Sequence, residues 1–334
     1  MSIKKATLAA AVSVVVGLSA ATPATASIYA RSYLEISNLV VFISDDGGAT
    51  AGGVNQKNRP EYDYSLTNTA YLNGASDISV ATCTGKVGSF TTCNTTSPKL
   101  DANVVTLGAP SRTNNNFGFL GPGMGNEYAN SDSVIWTSQL TGDAATHIEQ
   151  IAESELNKGS SAGSSSEIQS TTSLDFKFQL AGANLMNISF DAIWDKLVAI
   201  NDFDAKIALA QANAKVEMKL ANDANPGDFV IWQPDGANGN CVAVGAVSCT
   251  DVDAAGDLNE DFGVSTTPLS SDGSNGAGSF NVTVTGLYDG IWTLTLDALT
   301  STKLTRVPEP ATVALLGLGL AGMGVASRRR KKKA

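Results

Sequence analysis

Apolar and polar residues alternate along several stretches of the chain. The clearest stretches are 173–180, 186–192, 215–220, 281–287 and 291–297. A period of two places apolar side chains on one face of a strand and polar side chains on the other, as in an antiparallel sheet with one buried face. Weaker patterns predict further strands at 33–43, 61–69 and 228–233. The sequence therefore predicts an all-β fold, an antiparallel β-sandwich or jelly-roll-like domain with long loops.

Turn sequences separate the predicted strands. They include Asn73-Gly74, Asn225-Pro226-Gly227 and Tyr288-Asp289-Gly290. Because the last of these lies between two alternating stretches, residues 279–298 are predicted to form a β-hairpin.

Other stretches have weaker patterns. Residues 130–140 are predicted as a short helix with Asn130 or Ser131 as its N-cap, and residues 146–157 fit either a helix or a strand. Residues 159–166 are rich in Gly and Ser, which favours a loop or a seam between two halves of the chain. Residues 264–278 are predicted as another polar loop.

The N-terminus has the pattern of an export signal. Lys4 and Lys5 precede an apolar stretch, 6–21, and Ala24-Thr25-Ala26 is an Ala-x-Ala cleavage site. The sequence therefore predicts a signal peptide over residues 1–26, with signal peptidase and the Sec export machinery as partners. The mature chain is expected to begin at Ser27.

The C-terminus combines a proline-flanked glutamate, an uncharged stretch and a block of cations. Pro308-Glu309-Pro310 is followed by residues 311–327 without charge, and then by six Arg and Lys residues at 328–333. Such a block resists transfer across a bilayer. The apolar run 311–326 would extend roughly 24 Å as a helix, less than the ~30 Å hydrocarbon core. These features predict a marginal transmembrane helix, 311–327, with a basic tail.

This C-terminal arrangement resembles the sorting signal of the PEP-CTERM family, which comprises the exosortase substrates of Gram-negative, exopolysaccharide-producing bacteria. The matching residues are Pro308, Glu309 and Pro310, the Gly-rich apolar stretch, and Arg328, Arg329 and Arg330. The resemblance implies cleavage by an exosortase near Glu309 after transient anchoring in the inner membrane. It also implies release to the cell surface or the extracellular matrix of a biofilm, with exopolysaccharide as an implied partner.

The charge of the predicted secreted domain, residues 27–306, excludes some partners. The chain has 22 basic and 32 acidic residues, and the terminal signals hold eight of the basic residues and one of the acidic ones. The domain therefore has a net charge of −17. Such a charge argues against binding of nucleic acid or anionic lipid, and it is compatible with divalent cations or neutral sugars.

Four cysteines fall into two local pairs, Cys83 with Cys93 and Cys241 with Cys249. Export to an oxidising compartment favours disulfides. Three pairings are possible in principle, and proximity along the chain favours the two short-range bridges. Zinc is disfavoured because these spacings are not those of a metal knuckle.

The most acidic stretch begins at Asp251 and includes Asp253 and Asp257. Its first residues match positions 1, 3 and 6 of an EF-hand loop, but Phe262 stands where a bidentate Glu is required. A solvated acidic loop is the favoured interpretation, and a calcium site is the alternative; no other cofactor is predicted.

Few residues suggest catalysis. His147 is the chain's single histidine, no Gly-x-Ser-x-Gly motif is present, and His147 is predicted to be an exposed polar residue. Trp194 and Trp292 are in phase with apolar neighbours and are predicted in the core, whereas Trp232 is the best candidate for an exposed sugar-stacking ring. The sequence favours a non-enzymatic surface protein. The alternative is a secreted carbohydrate-binding module or a glycoside hydrolase, which would need only two suitably spaced carboxylates.

Overall fold

A computed structural model describes twelve segments of the chain: 27–45, 61–86, 102–113, 115–123, 126–136, 146–157, 161–168, 174–180, 184–201, 208–253, 256–265 and 270–306. The predicted signal peptide, Cys93, the proline-flanked Glu309, the apolar stretch 311–327 and the basic tail lie outside these residues.

The described residues form sixteen strands and no helix. The strands are β1 Ile28–Asp45, β2 Glu61–Leu72, β3 Ala75–Lys86, β4 Ala102–Val105, β5 Tyr128–Trp136, β6 Thr146–Leu156, β7 Ser161–Ile168, β8 Leu174–Leu180, β9 Asn184–Ile200, β10 Ala208–Asn222, β11 Phe229–Trp232, β12 Val242–Val244, β13 Ser248–Val252, β14 Asp261–Ser265, β15 Ser270–Leu287 and β16 Gly290–Arg306. The all-β prediction is confirmed.

The strands form two antiparallel sheets. Sheet 1 has the order β13-β15-β9-β1-β6-β5-β4. Sheet 2 has the order β12-β11-β10-β16-β7-β2-β3, with β14 also paired to β10, and β8 paired to β16 and β2. Polar contacts join the two facing sheets: Ser32 Oγ donates to the carbonyl oxygen of Asn213 at 2.7 Å, and the hydroxyls of Ser154 and Thr302 lie 2.7 Å apart. The sheets therefore pack as a sandwich, whereas jelly-roll connectivity is not confirmed.

Alternation explains why the long strands settle in one register. In β10, Ala210, Ala212 and Val216 are buried while Lys215 and Lys219 are exposed. Its whole length pairs with β16, from Ala208 opposite Arg306 to Asn222 opposite Trp292. A slip of one residue would turn every buried side chain outward, so burial fixes the register.

The main core lies between the sheets and is rich in aromatic rings. Phe190 and Phe280 stack with ring centroids 5.3 Å apart, and Trp232 packs on Phe190 at 5.6 Å. Trp194 and Trp292 are buried, as predicted. The prediction for Trp232 is wrong, since only 1% of it is exposed. Strand β11 pairs with β10 and places Trp232 opposite the inward-facing Met218.

The predicted hairpin over 279–298 is also wrong. Strand β15 belongs to sheet 1 and pairs with β9 and β13, whereas β16 belongs to sheet 2 and pairs with β10, β7 and β8. The turn at Tyr288-Asp289-Gly290 therefore carries the chain from one sheet to the other. Alternation and turn residues are the same for both connections, so the sequence pattern could not distinguish them. The Asn73-Gly74 turn does join a hairpin, β2–β3, with φ of 50° and 92°.

Three segments predicted as non-strand are strands. Residues 161–168, which overlap the predicted Gly/Ser-rich seam at 159–166, form β7 between β16 and β2. The predicted helix at 130–140 is part of β5 where it is described. Residues 146–157, for which helix and strand were both open, contain the strand β6. Strand β15 begins at Ser270, inside the predicted loop 264–278. Small polar residues fit these strands because both neighbours supply the backbone hydrogen bonds.

Replacing Gly276 with Ala should destabilise the core. A Cβ at Gly276 would lie 2.5 Å from the Trp194 ring, which Gly256 also contacts from another segment. Overpacking of this kind costs about 1–3 kcal/mol. Urea denaturation should show this loss for Gly276→Ala but not for Gly227→Ala, where nothing lies within 4 Å of the added carbon. Equal stability of the two variants would contradict this packing.

Candidate functional site at the base of the sandwich

The first and last residues of the described domain lie at one end of the sandwich, which we call the base. Ser27 precedes β1, and its carbonyl oxygen accepts a hydrogen bond from Asn201 N at 2.8 Å. Ile28 pairs with Leu156. Arg306 ends β16, and its guanidinium donates to the carbonyl oxygen of Asn157, the residue after Leu156. The two chain ends that the sequence marks for processing therefore meet around one corner of β6.

A second apolar cluster anchors both ends at the base. Its members include Ile28, Leu156, Ile200, Ala208 and Leu304, all buried. Because these residues come from β1, β6, β9, β10 and β16, both sheets hold the entry and exit strands. Ser27 and Arg306, from which the two terminal segments continue, therefore adjoin packed strands.

The outer face of sheet 1 near the base is polar, and the described residues of the segment 106–127, which we call the covering segment, lie over it. Arg112 of this segment makes an ion pair with Glu153 at 2.6 Å, and neither side chain is exposed. Glu153 also accepts hydrogen bonds from Leu120 N, Gly121 N and the hydroxyl of Tyr29. Burial lowers the pKa of Arg112, and burial beside Glu153 raises the pKa of Tyr29. The covering segment is therefore held to the sheet by a buried charge.

Glu155 occupies the same face, next to the base. Its Oε2 accepts a hydrogen bond from Gly123 N, and the nearby hydroxyl of Ser27 lowers the pKa of the carboxyl group. Its Oε1 is buried and has no hydrogen-bond partner among the described residues. Burial, together with the nearby Glu153 and Glu127, raises the pKa of Glu155 to about 7.

The raised pKa of Glu155 predicts a pH-dependent stability in a chain that retains residues 1–26. Between pH 4.5 and 7 the folded state keeps a proton that the unfolded state releases, so stability should fall as the pH rises through this window. The loss should be at most about 3 kcal/mol. Urea denaturation across this range should show a flatter profile for Glu155→Gln than for Glu149→Gln on the same face. Asp253, whose pKa is raised to about 6 mainly by burial, adds a slope of the same sign in both variants. Parallel profiles for the two Gln variants would refute this role of Glu155.

A second polar group lies further along the same outer face. The hydroxyl of Tyr33 lies 2.7 Å from Glu149 and 3.0 Å from Glu35, and His147 lies 3.8 Å from Glu35. His147 is half-buried, so the prediction of an exposed residue is wrong. The phenol therefore lies within hydrogen-bond distance of one oxygen of each carboxylate.

Beside this group, Arg31 pairs with Asp195 at 2.9 Å and lies 4.1 Å above the ring of Phe119, in the covering segment. The residues of this face thus interact chiefly with one another.

The predicted calcium residues bind backbone groups. Asp251 accepts hydrogen bonds from Gly239 N and Cys241 N, and Asp253 accepts from Asp235 N and the indole of Trp232. Asp257 accepts from Asn259 N at 2.7 Å. Among the described residues, no group of three or more His, Cys, Asp or Glu side chains is arranged to hold a metal ion.

The neighbouring pair Cys241–Cys249 is a disulfide, as predicted. Cys83 lies in β3, but its predicted partner Cys93 is outside the described residues.

The acidic stretch instead contacts a buried ammonium. Lys196 Nζ donates to the carbonyl oxygens of Asp257 at 3.2 Å and Glu260 at 2.8 Å, and it lies 5.0 Å from the Phe262 ring. Sequence analysis missed this lysine, although a signal was available, since Lys196 is in phase with the inward-facing Trp194 and Val198. It also missed Arg112, Glu153 and Glu155, for which the sequence offers no comparable signal.

The segment that leaves the base is similar to a known signal. Residues 306–331 match the PEP-CTERM protein-sorting motif. The match begins at the last residue of β16. A PEP-CTERM motif implies export, transient membrane anchoring and processing by an exosortase. No curated protein and no solved structure matches the chain. Among the described residues, no helix has the length and apolar character needed to cross a membrane.

Proposed function

We propose that this chain is a non-enzymatic protein of the cell surface or extracellular matrix, sorted by an exosortase. Signal peptidase removes residues 1–26 after Sec-dependent export. The C-terminal segment holds the protein briefly in the inner membrane, and the exosortase cuts near Glu309. The β-sandwich is then released or joined to a surface component such as exopolysaccharide. The PEP-CTERM match over residues 306–331 is the observation that carries this proposal.

The base of the sandwich supports this order of events. Ser27 and Arg306 both lie there, so one end of the domain faces the membrane during both cleavages. Strand β16 has 17 residues and ends at the base with Arg306. At the rise of an extended strand it spans roughly 56 Å. The turn at Tyr288–Gly290 then lies at the far end, directed away from the bilayer.

A non-catalytic role is supported by the polar groups of the domain. Glu35 and Glu149 share the hydroxyl of Tyr33, and Glu153 is neutralised by Arg112. Asp251 and Asp253 accept backbone hydrogen bonds. Each of these carboxylates therefore has a structural task, which favours a binding or structural role in the matrix over a glycoside hydrolase.

Substituting Glu309 with Ala should trap an unprocessed precursor in the inner membrane. The flanking residues Pro308 and Pro310 are expected to favour extended backbone at Glu309, which a membrane protease could recognise. Fractionation of the native host, followed by intact-mass measurement, should show the variant retaining Arg328–Lys333, whereas wild type loses this tail.

Asp289→Ala is the matched control, because it removes an exposed acidic residue at the far end of the sandwich. This control should be processed like wild type. Thermal melting should be unchanged in the Glu309 variant, since the substitution lies beyond β16. Normal processing of Glu309→Ala would reject the sorting proposal and leave residues 307–333 as an ordinary membrane anchor.

A further inference from the structure

Glu155 has fewer partners than a buried carboxylate requires. One oxygen accepts a hydrogen bond from Gly123 N, while Oε1 is buried without a partner among the described residues. The charges nearest to it, Glu153 and Glu127, have the same sign. Arg112, the buried cation on this face, is paired with Glu153. A buried carboxylate normally binds a proton or a cation, and no cation is among the described groups that shift the pKa of Glu155.

The predicted cleavage site lies beside this carboxylate. Antiparallel pairing sets Tyr29 opposite Glu155, which brings Ser27 to the end of β6. Ser27 is only 4% exposed, and its hydroxyl is close enough to Glu155 to lower the pKa of that carboxyl group. The Ser27 nitrogen therefore lies at the same corner of the base as the carboxylate of Glu155, and opposite charges within about 4–6 Å of each other interact strongly.

Cleavage changes the chemistry of this nitrogen. Signal peptidase adds water across the Ala26–Ser27 amide, leaving a carboxylate on Ala26 and an amine on Ser27 that takes up a proton. A neutral amide with one N–H becomes an ammonium with three donors. The donors and the charge that Glu155 lacks are thus created beside it.

We infer that the buried carboxylate of Glu155 is the acceptor for the new α-ammonium of Ser27, so that removal of the signal peptide completes the fold at the base. The inference depends on the leader cleavage within the proposed function, and it is independent of exosortase processing. Before cleavage, Glu155 is an uncompensated buried acid; afterwards, an ion pair closes the corner between β1 and β6.

The reactivity of the α-amine tests this pairing directly. The full chain is expressed with its own leader in a bacterial host, and the product cleaved after Ala26 is purified. Its α-amine is acetylated at neutral pH, where it reacts selectively, and the rate is compared with that of a Ser-Ile-Tyr peptide. The protein amine should react at least tenfold more slowly, because pairing keeps it protonated and buried.

Two glutamine variants separate the ion pair from simple burial. In Glu155→Gln the rate should rise at least severalfold towards that of the peptide, whereas Glu149→Gln, on the same strand and face, should keep the slow rate. Acetylating the wild-type amine should lower the thermal midpoint by several degrees, and acetylating Glu155→Gln should lower it much less. Circular dichroism of each variant before the reaction establishes that it is folded.

Three results would overturn the inference. The first is a wild-type α-amine that reacts like the peptide, and the second is an equal rate in Glu155→Gln and Glu149→Gln. The third is a mature N-terminus at a residue other than Ser27. If Glu155→Gln does not fold, the effect of acetylation on the wild-type midpoint decides, and an unchanged midpoint counts against the pair. Because the chain is tested without an exosortase, failure here leaves the sorting proposal standing, and the reverse also holds.

Discussion

Replacing Arg112 with Met should cost about 3–5 kcal/mol of folding free energy, because it leaves Glu153 buried without its cation. The guanidinium joins Glu153 at 2.6 Å and donates to the carbonyl oxygens of Asn116 and Gly118 within the covering segment 106–127. Loss of this residue removes the charge pair and the internal support of the segment together. Urea denaturation should measure the loss, and hydrogen exchange should be fastest in the covering segment.

Arg31→Met is the matched control. Arg31 also pairs with an aspartate on the outer face of sheet 1, but both side chains of that pair are about a quarter exposed. An exposed pair contributes about 0–1 kcal/mol. The double variant Arg112→Met/Glu153→Gln should recover part of the stability, because it removes the unpaired charge. If Arg112→Met cost no more than Arg31→Met, the buried pair would not hold the covering segment.

Period-two alternation was sufficient to predict the long strands. It placed the strand character of β9, β10 and β16 correctly, because each has one face in the core and one in solvent. It also placed Trp194 and Trp292 in the core. The same pattern does not specify which strands pair, and the predicted hairpin was wrong for that reason. A turn such as Tyr288–Gly290 between two alternating stretches has the same sequence pattern in a hairpin and in a crossing between sheets.

Composition gave a wrong prediction where neighbouring strands stabilise a segment that has little strand propensity of its own. Residues 161–168 contain mostly Ser, Gly and Ala, which have little strand propensity of their own. They form β7 because β16 and β2 provide hydrogen bonds on both sides. Trp232 was misplaced in a similar way, since its burial depends on how β11 adds to β10. In both cases, pairing with strands that are distant in the sequence determines the structure.

The candidate site likewise has features that local sequence predicts and features that depend on long-range contacts. The two processing signals were predicted from local sequence, since each is a contiguous pattern. Their common position at the base of the sandwich could not be predicted. It depends on the register of β1 with β6 and on where β16 ends. Arg112, Glu153 and Glu155 are separated by up to 43 positions, so no local pattern joins them.

The acidic stretch has a different physical role from the calcium site that its sequence suggested as the alternative. Its negative charge suggested a calcium ion, but its aspartates accept backbone hydrogen bonds, and the cation beside it is Lys196. Burial lowers the pKa of Lys196, while Asp257, Glu260 and Asp261 oppose that change. The lysine and two carbonyl oxygens thereby fix the segment 256–260 against sheet 1.

Replacing Lys196 with Met should therefore cost about 2–4 kcal/mol, because two carbonyl oxygens lose their donor in a buried site. Methionine keeps most of the apolar stem, so the change tests the ammonium rather than the packing volume. Hydrogen exchange should accelerate first at Leu258, whose N–H donates to the Pro234 carbonyl, and at Val216, whose N–H donates to Asn259.

Lys219→Met provides the comparison, since Lys219 is exposed on the outer face of sheet 2 and lies 5.8 Å from the Phe229 ring. That substitution should change stability by no more than about 0.5 kcal/mol. Millimolar calcium should leave the thermal midpoint of the wild-type chain unchanged, because no three acidic side chains among the described residues are arranged to hold a metal ion. A calcium-dependent rise of the midpoint, or equal stability of the two Met variants, would show that the ammonium is not the cation that organises this segment.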